Sequence, residues 1–280
     1  MHDVTASRRW WRANIALWVI GLLVIAAMAQ AAPSARAATS PTIVSITFDD
    51  GLAEQNVAAD ILDKHGLSGT FYISSGAVGA PDYFTRNDLT RLVSRGHEIG
   101  GHSASHPDLT TLPAGEVHRE VCTDWTTLAR WGFRVTSFSY PYASHSDSIE
   151  AIVRDCGYGS ARLGGGIFRP GTNSGNCPGC PMAEEIPPAN PYTIRTLPAV
   201  DSSWTLAEMK TAVRNAENHG GGWVILVFHH ICDNNCPLST SPADLDGFAA
   251  WLASRKGRGT QVKTVDQVIA AALAGAQVSM

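Results

Sequence analysis

From residue 42 onward, short runs of β-branched and aromatic residues alternate with longer stretches whose apolar side chains recur at helical spacing. The short runs predict strands over 42–48, 68–74, 97–101, 134–139, 157–161, 192–198 and 223–228. The longer stretches predict helices over 55–65, 87–95, 114–131, 147–155, 205–218, 242–256 and 264–274. Some helix starts carry local support. Asn87 stands before Asp88-Leu89, Ser146 before Asp147, and Ser241-Pro242 sets a capping hydroxyl ahead of a first-turn proline. Trp223-Val224-Ile225-Leu226-Val227-Phe228 is apolar without interruption, as expected of a strand buried on both faces of a parallel sheet. The alternation implies an α/β fold, a distorted (β/α) barrel of about seven parallel strands. In such barrels the C-terminal strand ends gather on one face and carry the active site. The pattern breaks from Gly164 to Pro191, where Gly, Pro, Asn and Cys dominate. That stretch is too long for an ordinary connection, and reads as a disulfide-pinned loop near the site or a surface insertion.

The first residues follow a different rule. Arg8, Arg9 and Arg12 precede an uncharged run from Ala13 to Pro33, and Ala35-Arg36-Ala37 supplies a small-x-small cleavage pattern. Residues 1–37 therefore read as a signal peptide, and 38–280 as one domain, secreted or held in the cell envelope as a monomer. The apolar run is also near bilayer-spanning length, so the alternative is an uncleaved membrane anchor. Ser7-Arg8-Arg9 leaves the export route open between the general and the twin-arginine pathways.

Without Arg8, Arg9, Arg12, Arg36 and the single acid Asp3, the chain keeps 17 basic and 24 acidic side chains, a formal charge of −7. No basic cluster remains to track a phosphate backbone, which argues against a nucleic-acid partner. The six cysteines, Cys122, Cys156, Cys177, Cys180, Cys232 and Cys236, favour disulfides in an exported protein. Cys122 in one predicted helix and Cys156 at the end of the next suit a bridge. The pairs 177/180 and 232/236 lie in turn-rich loops and close locally or with each other. A four-cysteine structural zinc site is the competing reading.

The chemistry sits where the strands end. Asp49 and Asp50 follow the first strand, His102 and His106 the third, Tyr140-Pro141-Tyr142 the fourth, and His229-His230 the last. Taken singly, each has an ordinary explanation. Asp-Asp-Gly is often a turn, and histidines at i, i+4 share one side of a helical turn about 6 Å apart along its axis. Convergence of all of them on one barrel face is what points to function. One carboxylate with two imidazoles makes a three-ligand hydrolytic metal site, and the second carboxylate is left to handle protons. His229, directly after six apolar residues, reads as catalytic, and His230 as supporting. His65, His97, His118, His145 and His219 have no such company.

These segments resemble the polysaccharide deacetylases of the NodB-homology type, carbohydrate esterase family four. Thr47-Phe48-Asp49-Asp50-Gly51 is similar to the family's first motif, and His102-Ser103-Ala104-Ser105-His106 to its second. Phe138-Ser139-Tyr140-Pro141-Tyr142 resembles the third, and Val227-Phe228-His229 the terminal one. The resemblance implies a divalent metal, usually zinc with cobalt as another candidate, on Asp50, His102 and His106. It also implies Asp49 as general base, His229 as general acid, and Tyr142 beside Pro141 holding the oxyanion through its backbone N–H. The substrate implied is an N-acetylated glycan, chitin-like or peptidoglycan, deacetylated to acetate and free amine. An O-acetyl esterase and a silent glycan-binding relative are the alternatives. Two departures stand out. The third motif's arginine, which braces the base, is replaced by Ser139, leaving Arg162 or Arg195 to supply that charge. The fourth motif's Asp-Trp pair appears only as Asp201-Ser202-Ser203-Trp204, at altered spacing.

Overall fold

The computed structural model describes residues 40–171, 177, 179–233 and 236–278. The expected signal segment, 1–37, lies outside the described residues. Seven strands, β1 (Thr42–Phe48), β2 (Thr70–Ile73), β3 (Glu98–Gly101), β4 (Ser137–Ser139), β5 (Ser160–Gly166), β6 (Ile194–Thr196) and β7 (Gly222–Phe228), form one curled parallel sheet. β7 pairs with β1 over its whole length, Thr42 opposite Gly222 through Phe48 opposite Phe228. From β1's other edge β2 to β6 follow in order. Past β6 the chain reaches back to β7, where Leu197 and Val200 donate backbone N–H groups to the carbonyls of Ile225 (3.0 Å) and Val227 (2.8 Å). The result is the expected distorted barrel.

The helices, α1 (Gln55–Lys64), α2 (Arg86–Ser94), α3 (Ala114–Arg130), α4 (Asp147–Asp155), α5 (Leu206–Asn218), α6 (Pro242–Arg255) and α7 (Val265–Val278), fall close to their predicted spans. One cap differs. α2 is capped by Thr85, not Asn87: Asp88 donates its N–H to Thr85 Oγ1 (3.2 Å), and its carboxylate accepts Thr85 N–H (2.8 Å). This reciprocal box closes two orphan donors at once, which an asparagine two residues later cannot do. Ser146 and Ser241 cap as expected. The sequence pattern also missed three short strands. β8 (His230–Ile231) and β9 (Ser239–Thr240) form a small ladder, and β10 (Thr260–Val262) adds to the first half of β1. Two or three residues are too few for a period-2 alternation to register.

Strand parity divides the interior from the helix layer. Val44, Ile46 and Phe48 of β1 join Val224, Leu226 and Phe228 of β7 in one core with Leu62, Leu245 and Phe248 of the helices. The alternate positions, Ser45, Thr47, Tyr72, Ser137, Ser139 and Arg162, are buried inside the barrel and are mostly polar. The N-terminal mouth is closed by the first turn of α7. Val265 N–H donates to Thr70 Oγ1 (3.1 Å), Asp266 N–H to Glu98 Oε2 (2.9 Å), and Val265, Val268 and Ile269 pack on Ile43 and Trp223. The C-terminal strand ends stay open.

All six cysteines are oxidised, as 122–156, 177–180 and 232–236. The first ties α3 to the end of α4 as anticipated. The other two close locally instead of with each other, and no thiolate remains for a structural zinc.

Candidate active site

Asp49 continues the β1–β7 ladder, its N–H donating to Phe228 O at 2.9 Å. By parity its side chain therefore falls inside the barrel, in line with Ser45 and Thr47. Asp50 and Gly51 then both take φ 73°, a sharp left-handed turn. Asp50 is half-buried, with Oδ1 3.5 Å from His102 Nε2 and 3.4 Å from His106 Nε2.

The histidines do not sit on a helical turn, as the i, i+4 spacing suggested. Residues 102–106 are a bend in which Ser103 and His106 take φ 63° and 60°, and Ser103 Oγ accepts the His106 N–H at 3.0 Å. That serine link folds the segment on itself and leaves the rings 4.6 Å apart. His102 Nδ1 lies 2.7 Å from the Ser139 carbonyl, which can only accept. Nδ1 therefore carries the proton, and the Nε2 lone pair faces Asp50. The three ligand atoms lie within 4.8 Å of one another, and a carboxylate with two outward lone pairs fits a divalent ion. Two other groups of metal-ligand type occur among the described residues, but each depends on a disulfide-bonded cysteine. Asp50, Ser103, His106, Tyr142 and Ala143 all hold left-handed backbone. Such strain, of order 1–3 kcal/mol per residue, tends to collect at functional sites.

Burial alone would raise the Asp50 carboxyl. When the imidazoles are protonated, as they can be without a metal, the hydrogen bond and charge of His102, helped by His229 and His106, outweigh it and hold the group at about 2. Burial also lowers His106 and His229 below the usual imidazole value.

The other carboxylate belongs to a separate network. Arg162 Nη2 donates to Asp49 Oδ1 in a short charged contact, Nη1 donates to Leu163 O (3.1 Å), and the guanidinium lies 4.5 Å over the Tyr72 ring. Arg162 and Ser139 are register partners on β5 and β4. An arginine absent from one strand thus arrives from its neighbour, and the small Ser139 leaves room for it. Asp49 Oδ2 receives Ser139 Oγ at 3.4 Å and lies 3.9 Å from His229 Nε2.

Arg195, the other candidate for that charge, is elsewhere. It grips Glu184 through Nε (2.9 Å), Nη2 (2.6 Å) and its own N–H (2.8 Å). Arg195→Ala should accordingly lower the melting temperature and leave turnover close to wild type. A collapse of kcat with an unchanged melting temperature would give the brace to Arg195 after all.

Asp201 is also apart, accepting Ser203 N–H (2.8 Å) and Oγ (2.5 Å). Buried His229 Nδ1 has no hydrogen-bond partner among the described residues. The backbone at His229 is held instead by a residue that no motif marks. Gln55, fully buried, donates Nε2–H to both Asp49 O (2.6 Å) and His229 O (3.0 Å). His230 bonds Glu54 Oε1 at 2.8 Å, beside the site rather than in it. Tyr142, after Pro141, is exposed and sets its ring edge-on to His106 at 4.8 Å. Asp49, Asp50, the two histidines, Tyr142, Arg162, His229 and Leu238 surround a cavity of about 350 Å³ at the open barrel mouth. A second hollow, bordered by Tyr83 and Ser105, shares Asp50, His106 and Tyr142 with it.

The model of one family, polysaccharide deacetylase, matches residues 36–161. A chitin deacetylase of Pestalotiopsis sp is 32% identical over 106 residues, 38% of this chain and 35% of that one. The chain spans between 18% and 36% of the length of eight curated relatives that it matches. Among solved structures, a peptidoglycan deacetylase of Bacillus subtilis superposes with TM-score 0.55 at 21% identity, over 86% of this chain and 96% of that one. A family 4 acetyl xylan esterase of Clostridium thermocellum, solved with a cobalt ion, gives 0.55 at 20% identity over 82% and 91%. At those identities the structures speak for the shared barrel alone.

Proposed function

From the match of residues 36–161 to the polysaccharide deacetylase model, we propose that the protein is a metal-dependent hydrolase that removes acetyl groups from the N-acetylhexosamines of a chitin-like or peptidoglycan glycan. One observation carries the reading: two adjacent carboxylates have different partners. Asp50 faces the Nε2 atoms of two imidazoles, while Asp49 is held by Arg162 and points its second oxygen toward His229.

A zinc or cobalt ion on Asp50, His102 and His106 supplies Lewis-acid polarisation and an acidified water when bound. The remaining steps fall to the chain. Arg162 occupies Asp49 Oδ1, so Oδ2 is the oxygen that takes a proton from the attacking water. The backbone N–H of Tyr142 helps to hold the oxyanion that forms at the acetyl carbon. His229 then gives its proton to the departing nitrogen, which leaves as a free amine while acetate remains. The disulfides and the N-terminal targeting pattern support release outside the cell or into its envelope.

One observation favours a second reading, an O-acetyl esterase on acetylxylan-like glycans. Among the described residues, His229 Nδ1 has no carboxylate partner to stabilise an imidazolium, and an alkoxide departs with less help from an acid than an amine does. Acetate release from chitin oligomers, peptidoglycan and acetylxylan, assayed side by side, separates the two. His229→Ala should retain metal and lose more rate on the amide than on the ester. Equal losses on both would remove His229 from the acid role.

A further inference from the structure

We propose that Asp124, on α3 and outside every motif above, is the positioning residue that sets the geometry of the metal centre. The inference rests on the metal-holding reading of Asp50, His102 and His106. Asp124 is fully buried. Its Oδ2 accepts the backbone N–H of His102 at 3.1 Å and the Tyr158 hydroxyl at 2.8 Å, and its Oδ1 accepts the Ser75 N–H at 3.0 Å. The His102 N–H is shared with Ile73 O at 3.0 Å, so the carboxylate sits where β2 and β3 part. The approach depends on Gly101. A Cβ there would lie 1.9 Å from the Tyr158 hydroxyl and 2.5 Å from Asp124 Oδ2.

One turn earlier on the same helix, Glu120 takes Ser105 N–H and Oγ, each at 2.8 Å, and its carbonyl takes Ala104 N–H at 3.0 Å. One side of α3 therefore holds the backbone at both ends of the histidine bend. For His102 the consequence is direct. Asp124 fixes its backbone and the Ser139 carbonyl fixes Nδ1, so Nε2 has a single direction left, toward Asp50. Outer partners of this kind orient metal ligands.

Only a carboxylate satisfies the three donors. Asparagine has the same shape but replaces one acceptor with an NH₂. Either way round, that NH₂ faces the Ser75 N–H or the His102 N–H. A buried backbone donor left opposite another donor pushes its segment away. If that segment is His102, the ligand moves.

The test uses the full-length protein, with Zn²⁺ affinity read by competition with a chromophoric chelator, the visible spectrum of the Co²⁺-loaded form, and the melting temperature. Asp124→Asn should weaken Zn²⁺ binding by about 10–100-fold at a temperature where the variant is folded, and should change the Co²⁺ spectrum. Tyr158→Phe, which keeps the carboxylate and removes one donor, should shift affinity less and in the same direction. A lowered melting temperature with unchanged Zn²⁺ affinity and Co²⁺ spectrum overturns the proposal and leaves Asp124 a tether between helix and sheet. If Asp124→Asn does not fold, Tyr158→Phe decides, and wild-type affinity there overturns it. Wild-type protein that takes up no zinc fails differently, because that result removes the metal centre itself.

Discussion

Asp49→Asn protein should bind zinc as tightly as the wild type and release acetate about 10²–10⁴-fold more slowly, the usual measure of a lost general base. The substitution keeps the size of the side chain and its contact with Ser139, and removes both the ability to take a proton and the charge that pairs with Arg162, so some loss of stability accompanies it. Asp50→Asn should do the reverse, losing the metal first and the activity as a result. The two residues are adjacent in sequence, yet Asp49 meets Arg162 inside the barrel and Asp50 meets two imidazoles at its mouth. Zinc titration and turnover on both variants check the division. Loss of metal by Asp49→Asn would mean that the two aspartates exchange roles.

Arg162→Met should damage both fold and catalysis. The arginine and Asp49 are each more than nine-tenths buried, and removing one partner of a buried pair costs about 3–5 kcal/mol. For a domain of this size that lowers the melting temperature by roughly 6–20 °C. In the protein that remains folded, Asp49 loses the contact that fixes Oδ1, and a misplaced base costs about 10²-fold in kcat. Arg162→Lys should not restore activity. A single ammonium cannot meet Asp49 and Leu163 O together while lying flat on Tyr72. Calorimetry and steady-state kinetics on the pair give the answer. Near-normal kcat in either variant would show that the base needs no such partner.

The architecture was legible because β7 is apolar throughout and β1 alternates large apolar with small polar residues, and because several helices keep an amphipathic period behind a capping residue. Apolar pattern alone located the strand ends, and with them Asp49, Asp50, His102, His106 and His229. Contacts made through register or backbone were hidden. Nothing in the chain says that Ser139 lies opposite Arg162, so the choice between Arg162 and Arg195 needed three dimensions. The histidine bend was misread for the same reason, since a serine hydroxyl and left-handed backbone produce the convergence that helical spacing would also give. Gln55 and Asp124 act on carbonyls and N–H groups, which any residue type supplies, so no partner motif marks them.

The central claim is that one metal and one base deacetylate an N-acetylated glycan. Its most direct test is the molar yield of acetate and new amine from chitin oligomers and peptidoglycan, measured before chelation, after it, and after zinc is returned. Equal amounts of acetate and amine, abolished by the chelator and restored by zinc, are the expected result. Undiminished release from rigorously metal-free protein, or no release from any acetylated glycan by the zinc-loaded protein, would contradict it.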